Sequence, residues 1–195
     1  MCINNIKAVV FDRDGTLIEH VHYLCDPEKV RLLNGVKNGI KVLKQSGFKL
    51  FLHSNQSGVG RGFFNLEQVY ACNQRMEELI GLGSNVFSRV CIATEKPDEE
   101  ILYRKPSPRF ANEILTDFDL KTSEICYVGD RYSDLETALN IGAYVIGVNT
   151  GLVDLHLELF ELGLTSRFKV VNSFSDVVKN LISKESRLQN EFNHI

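Results

Sequence analysis

Five short and nearly continuous apolar runs punctuate the chain: KAVVF (7–11), FKLFLHS (48–54), VFSRVCIA (86–93), EICYVG (124–129) and AYVIGV (143–148). A strand with one wet face alternates apolar and polar residues. These runs do not, so each expects cover on both faces, the condition of a parallel sheet. FKVVN (168–172) adds a sixth candidate strand, at an edge.

Parallel strands need crossovers, and the intervening segments carry helical patterns. GVKNGIKVLKQSG puts Val36, Ile40 and Leu43 on one face and a stop at Gly47. NLEQVYACNQRMEELIG opens on Asn65 as a cap with Gln68 three residues on. SPRFANEILTDF predicts Ser107 as cap with Pro108 at the first helical position. SDLETALNIG places Ser133 and Glu136 at capping-box spacing. SFSDVVKNLIS is a last amphipathic helix.

Strand–helix alternation with right-handed crossovers predicts a doubly wound α/β fold, a mostly parallel sheet with helices on both faces. A chain of 195 residues suits one domain, expected over 1–185, with 186–195 a polar C-terminal tail. Composition is that of an ordinary globular protein, 44% hydrophobic and 24% charged. A net charge of −3 without a long basic run lacks the electrostatic footprint of a nucleic-acid binder. The opening MCINNIKAVVF reads as a strand rather than a signal peptide, and no apolar run has the length of a membrane span. Five scattered cysteines (Cys2, Cys25, Cys72, Cys91, Cys126) without a C-x-x-C spacing point to reduced thiols and a cytoplasmic protein.

Ligands of open α/β sheets bind outside the carboxyl ends of the strands, so the residues following each run are the candidates for chemistry. Asp12 and Asp14 follow the first; Ser54, Asn55, Gln56 and Arg61 end or follow the second. Arg104 and Lys105 come after the third, Asp130 and Asp134 after the fourth. Two carboxylates two residues apart repel, a cost a fold accepts where the pair holds a cation or moves protons. A solvated Asp-Gly turn would explain the first pair alone, but not acidic, hydroxyl and basic groups meeting on one rim.

Other features read as structural. The glycines of GVGRG do not fit a dinucleotide loop, and no Walker lysine follows. His53 and Ser54 point to opposite faces of a strand and cannot form a catalytic pair. His20 and His22 read as surface histidines near the rim, and EKPDEE (95–100) as a solvated loop.

As a set, Asp-x-Asp-Gly-Thr (12–16), Ser54, Lys105 and Gly-Asp-x-x-x-Asp (129–134) resemble the four motifs of the haloacid dehalogenase superfamily of phosphohydrolases. The resemblance implies Asp12 as nucleophile through an aspartyl-phosphate and Asp14 as general acid and then base. It implies Mg²⁺ on the carboxylates of Asp12 and Asp130 and the backbone carbonyl of Asp14, supported by Asp134. Ser54 and Lys105 would hold phosphoryl oxygens, with Thr16, Asn55, Gln56, Arg61 and Arg104 toward the substrate. Insertions at about 18–34 and 56–104 are too short for a large cap domain, so an essentially uncapped site is expected.

HYLCDPEKVRLLNGV, SNQSGVGRG and YRKPSP look like the heptose 1,7-bisphosphate phosphatases and related histidinol-phosphatases. That resemblance implies a small phosphorylated metabolite as partner, Arg61 and Arg104 gripping a second phosphate, and a monomer or weak oligomer. Those relatives usually carry a zinc loop, whose positions correspond here to Cys91, Ala93, Ile101 and Tyr103. One ligand of four holds no structural Zn²⁺. Polynucleotide 3′-phosphatases, which lack that loop, are the rival of another substrate class.

Overall fold

The computed structural model describes residues 5–83, 85–96 and 98–192, with side chains described through residue 183; Cys2, Pro97 and residues 193–195 lie outside the described residues. The apolar runs become one all-parallel sheet of β1 (Ala8–Phe11), β2 (Lys49–Asn55), β3 (Arg89–Ala93), β4 (Ile125–Gly129), β5 (Tyr144–Val148) and β6 (Lys169–Val171), in the order β3-β2-β1-β4-β5-β6. Phe11 lies level with Leu52 on one side and Val128 on the other, so the central strands end together. The third run supplies a shorter strand than its apolar length predicts. Val86 and Phe87 are buried in its approach and pair with nothing in the ladder.

The helices are α1 (Val36–Gln45), α2 (Ser57–Gly60), α3 (Leu66–Ile80), α4 (Arg109–Asp117), α5 (Tyr132–Ile141), α6 (Leu155–Glu161) and α7 (Phe174–Phe192). α1, α3 and α7 cover the sheet face carrying Val9, Phe11, Leu50, Leu52 and Val128. α4 and α5 cover the other, against Val10, Phe51 and Tyr127. α1 buries Val36, Ile40 and Leu43 as their spacing predicts, and Gly47 ends it at φ +86°. α3 carries its capping box, Asn65 and Gln68 each accepting the other's backbone N–H at 3.0 Å.

Two helix starts differ from expectation. α4 begins at Arg109, one residue later than expected, with Pro108 in the cap position; the Ser107 hydroxyl still accepts from Arg109 N at 3.3 Å while donating to Leu102 O at 2.6 Å. α5 begins at Tyr132, and Asp134 rather than Glu136 accepts the cap N–H, that of Arg131, at 3.1 Å. α2 and α6 were not anticipated; Asp154 caps α6 through His156 N at 2.9 Å, and Leu155 and Leu159 bury its inner side. α7 continues through Phe192, so its backbone stays helical over most of the segment assigned to a tail.

The insertion between β1 and α1 is one short excursion. Ile18 bridges Leu32, Pro27–Lys29 make a single 3₁₀ turn, and Leu24 and Val30 tuck beneath it. It borders the strand ends without covering them. No helix among the described residues is long and apolar enough to cross a membrane. Cys25, Cys72, Cys91 and Cys126 are free thiols.

Phe174 ties the last helix to the sheet: its ring is 1% exposed and lies 5.6 Å from that of Phe11. Gly39 leaves room for it, since a Cβ there would stand 2.7 Å from Phe174 Cε1. Phe174→Ala is expected to lower stability by about 3–5 kcal/mol, read from urea unfolding. A loss under about 1 kcal/mol would show that α7 packs without this anchor.

Candidate active site

β1 runs out at Phe11, and the next amide, Asp12 N, still bonds Val128 O at 2.9 Å. The Asp12 carboxylate is thereby fixed at the centre of the rim, between the ends of β2 and β4. The chain then turns sharply at Gly15 (φ +83°), whose carbonyl accepts the Thr150 hydroxyl at 2.6 Å. This glycine is also required by space. A Cβ on Gly15 would stand 2.5 Å from Asp130 Oδ2, and one on Gly151 only 1.9 Å from it. Asp130 sits in a cradle between two bare backbones, and Thr16 donates to its Oδ1 at 2.9 Å. Thr16 is fully buried there and its hydroxyl holds Asp130.

Lys105 enters from the loop after β3 and is 4% exposed. Its Nζ lies 2.6 Å from Asp12 Oδ1 and 2.5 Å from Asp134 Oδ1. Burial works against the ammonium, but the two carboxylates outweigh it and hold Lys105 above its ordinary value. Asp134 also caps α5 through Oδ2, and its Oδ1 is paired with the Lys105 ammonium. The expected supporting residue is therefore in the centre. Oxygens of Asp12, Asp130 and Asp134 lie within 4.8 Å of one another. Burial and the facing carboxylates of Asp12 and Asp134 hold Asp130 well above the carboxylate range. Burial also pushes Asp134 up, against the pull of Lys105.

Three carboxylates converge on one ammonium at the centre, with Arg104 and Arg131 further along the cleft wall. Hard oxygen donors with uncompensated charge suit a small divalent cation. Among the described residues no other group of histidine, cysteine and acidic side chains is close enough to hold a metal. Of the four zinc-loop positions, Cys91 and Ala93 are buried on β3 and Ile101 is exposed, while the Tyr103 hydroxyl donates to Glu113 at 2.7 Å.

Asp14 is held from two sides. Buried Arg13 forks onto it, Nε at 3.0 Å and Nη2 at 3.1 Å, and is itself anchored by Asn73 of α3 at 3.0 Å. Gln56 Nε2 reaches Asp14 Oδ2 at 2.9 Å and Ser54 Oγ at 2.8 Å. Ser54 is 1% exposed, with its hydroxyl beneath Gln56. Asn55 clamps Lys105 by its backbone, accepting from N at 2.9 Å and donating to O at 3.3 Å. Arg104 lines a cleft of about 230 Å³ with Asp12, Asp14, Lys105, Asp130 and Asp134. An adjoining cavity of about 190 Å³ is walled by His20, His22, Tyr23, Gln56 and Phe64. Arg61 is exposed and lines neither, though its charge adds to burial in lowering the Arg104 pKa, against the opposing pull of Glu95.

A family model described as HAD-hydrolase-like matches residues 102–177. D-glycero-D-manno-heptose-1,7-bisphosphate 7-phosphatase of Thermosynechococcus vestitus is 33% identical over 162 residues, 77% of this chain and 83% of the relative. The histidine biosynthesis bifunctional protein HisB of Legionella pneumophila is 28% identical over 145 residues, 73% of this chain and 41% of the relative. The crystal structure of D,D-heptose 1,7-bisphosphate phosphatase from B. bronchiseptica, complexed with magnesium and phosphate, superposes with a TM-score of 0.83 at 26% identity, covering 92% of this chain and 99% of that one. The chain belongs to the haloacid dehalogenase superfamily. It is one of that superfamily's phosphatases.

Within this phosphatase several supporting residues carried no sequence signal. Arg13 was visible only as a charge between two aspartates, and its partner Asn73 is sixty residues away. His53 packs on the far side of β2 from Ser54. It bonds Tyr103 O at 2.8 Å through Nε2, and burial, helped by the charge of Lys105, drives its pKa down to about 3. Neutral at any working pH, it holds the loop that leads to Lys105. Glu95, read as solvated, is instead tied into that same loop.

Gly151 offers the sharpest test of the cradle. Gly151→Ala must displace the Asp130 carboxylate, whereas the fold around it can stay, since residue 151 is in a half-exposed turn. Phosphatase activity is expected to fall by about a hundredfold (roughly 2.7 kcal/mol) with circular dichroism and melting temperature close to wild type. Wild-type turnover would mean that Asp130 need not sit where the two glycines place it.

Proposed function

We propose that this phosphatase hydrolyses a small sugar bisphosphate of the D-glycero-D-manno-heptose 1,7-bisphosphate type, with Mg²⁺ and Asp12 as nucleophile. The observation that carries the reading is the Asp12 carboxylate, fixed at the central strand end with Lys105 Nζ 2.6 Å away and Asp130 and Asp134 beside it. An Asp12 oxygen attacks phosphorus in line, forming an aspartyl-phosphate as the ester P–O bond breaks. Asp14 gives the leaving oxygen its proton, and in the second step takes one from the water that cleaves the acyl phosphate. Bound Mg²⁺, held by Asp12, Asp130 and the Asp14 carbonyl, would neutralise phosphoryl charge and bring the anion onto an acidic rim. Lys105 and Ser54 add donors to the transferring oxygens.

Arg104 in the cleft wall and Arg61 near it suit the second phosphate, and the insertion over 19–35 leaves the mouth open to a phosphorylated sugar. The names of the T. vestitus and B. bronchiseptica relatives support the heptose substrate. The Legionella relative supports a second reading, hydrolysis of histidinol phosphate. A polynucleotide 3′-phosphate fits poorly with a net charge of −3 and no long basic run. The reading includes a cytoplasmic monomer or weak oligomer.

Asp12→Asn is expected to reduce Mg²⁺-dependent phosphate release on the order of a thousandfold with the fold intact; retention of a tenth of wild-type turnover would remove Asp12 from the mechanism. The substrate is read by rates on the heptose bisphosphate, its monophosphates, histidinol phosphate and a 3′-phosphorylated oligonucleotide at two salt concentrations. A charged hydrogen bond is worth about 1.5–3 kcal/mol, so the bisphosphate should lead its monophosphates by about ten- to a hundredfold in kcat/KM. Arg104→Ala should remove much of that lead and Arg61→Ala, at the exposed position, less of it, both sparing p-nitrophenyl phosphate. Histidinol phosphate outrunning the bisphosphate would select the second reading. A faster oligonucleotide reaction that collapses with salt would overturn both.

A further inference from the structure

Among the described residues between Thr94 and Pro108 there is no helix or strand, yet this segment delivers the buried Lys105 and the cleft-lining Arg104. Its order needs a cause. A single carboxylate oxygen supplies it: Glu95 Oε1 accepts three successive backbone N–H groups, Leu102 at 3.2 Å, Tyr103 at 2.5 Å and Arg104 at 3.2 Å. The Arg104 guanidinium also comes back to the Glu95 carbonyl at 3.5 Å. Burial opposes the charge on Glu95, but the backbone donors outweigh it and hold its pKa below the usual value. Consecutive amides converging on one anion form a nest, a geometry that needs a full negative charge to fill it.

We propose that Glu95 is a positioning residue that holds the 102–104 backbone and thereby sets Arg104 and Lys105 for catalysis. The zinc-loop positions Cys91 and Ala93 precede it and Ile101 and Tyr103 follow it, so the carboxylate stands inside the segment that a metal would otherwise cross-link. His53 and Asn55 hold the same stretch from the sheet side, at Tyr103 O and the Lys105 backbone. Glu95 thus holds 102–104, shares Tyr103 with His53, and leaves Lys105 to Asn55. Removing Glu95 should therefore loosen Arg104 most and Lys105 less. The catalytic consequence rests on the sugar-bisphosphate reading; the structural one does not.

Amide hydrogen exchange on the full chain without substrate tests the structural half. In Glu95→Gln, which keeps the shape but loses the charge, exchange at Leu102, Tyr103 and Arg104 is expected to quicken about tenfold or more, with the sheet amides unchanged. Glu95→Ala should quicken it further. Unchanged protection at 102–104 in both variants overturns the proposal, as does acceleration spread through the whole chain, which marks a general stability role. A double-mutant cycle with Arg104→Ala tests the catalytic half. On the bisphosphate, Glu95→Gln is expected to raise KM about tenfold with kcat changed less than threefold, and to add little once Arg104 is gone. Full additivity, or an equal loss confined to kcat, overturns the assignment to Arg104. If no sugar bisphosphate is hydrolysed at all, the substrate reading fails, and the exchange result still decides whether Glu95 orders the loop.

Discussion

One ammonium, that of Lys105, holds together groups from three separate parts of the chain. Asp12 ends β1, Asp134 opens α5, and Lys105 arrives from a loop after β3; the two ion pairs are 2.6 and 2.5 Å long and nearly dry. Taking such charges out of water costs several kcal/mol per ion, and the attraction repays it only where the geometry is tight. That geometry is available because β1 and β4 are adjacent and in register, so their ends deliver Asp12 and Asp130 side by side. The apolar strands thus do more than fill the core. They set the spacing on which the charged cluster depends.

The cluster is also a place where stability is given up. Asp130 and Asp134 have pKa values raised above those of the unfolded chain. The folded state therefore binds their protons more tightly, their ionisation opposes folding near neutral pH, and the cost shrinks as pH falls. His53 has the opposite effect. Its pKa is lowered to about 3, so the unfolded chain protonates first and stability is lost as pH drops from about 6.5 toward that value. The acidic rim is tolerated because the surroundings supply fixed dipoles and bare backbone where a side chain would collide: Thr16 on Asp130, and Gly15 and Gly151 beneath it.

What could be read from the sequence divides along a physical line. Strands and most helices follow from local apolar pattern, so the six strands, the Asn65–Gln68 box and the Gly47 stop were visible. The rim residues were visible too, because a strand end is a fixed address in this architecture. Features set by tertiary contacts were not. The Ser107 hydroxyl donates to Leu102 O as well as accepting from Arg109 N, and Asp134 rather than Glu136 takes the α5 cap N–H while its other oxygen faces Lys105. The Thr16 hydroxyl turns to the Asp130 carboxylate, a partner 114 residues on that no local pattern points to. Glu95 lies among EKPDEE and looks solvated, since its partners are backbone amides seven to nine residues on, in a stretch without periodicity. α6 is short, and only the Leu155–Leu159 spacing and Asp154 hint at it.

The same division explains how a site without a cap domain can be selective. The reacting centre is welded to the sheet, and its residues cannot move without disturbing β1, β4 or α5. Selection has to come from what can vary, and the loop from Thr94 to Lys105 spans both worlds. At its inner end Asn55 fixes the Lys105 backbone from both sides, and His53 fixes Tyr103. At its outer end the amides of 102–104 gather on Glu95, with Arg104 turned into the cleft. Changes at the outer end can redirect Arg104 while the Asn55 clamp keeps Lys105 against Asp12. Under the proposed function, substrate choice would rest on Arg104 at one end of this stretch and chemistry on Lys105 at the other, with Tyr103 held between them by both Glu95 and His53.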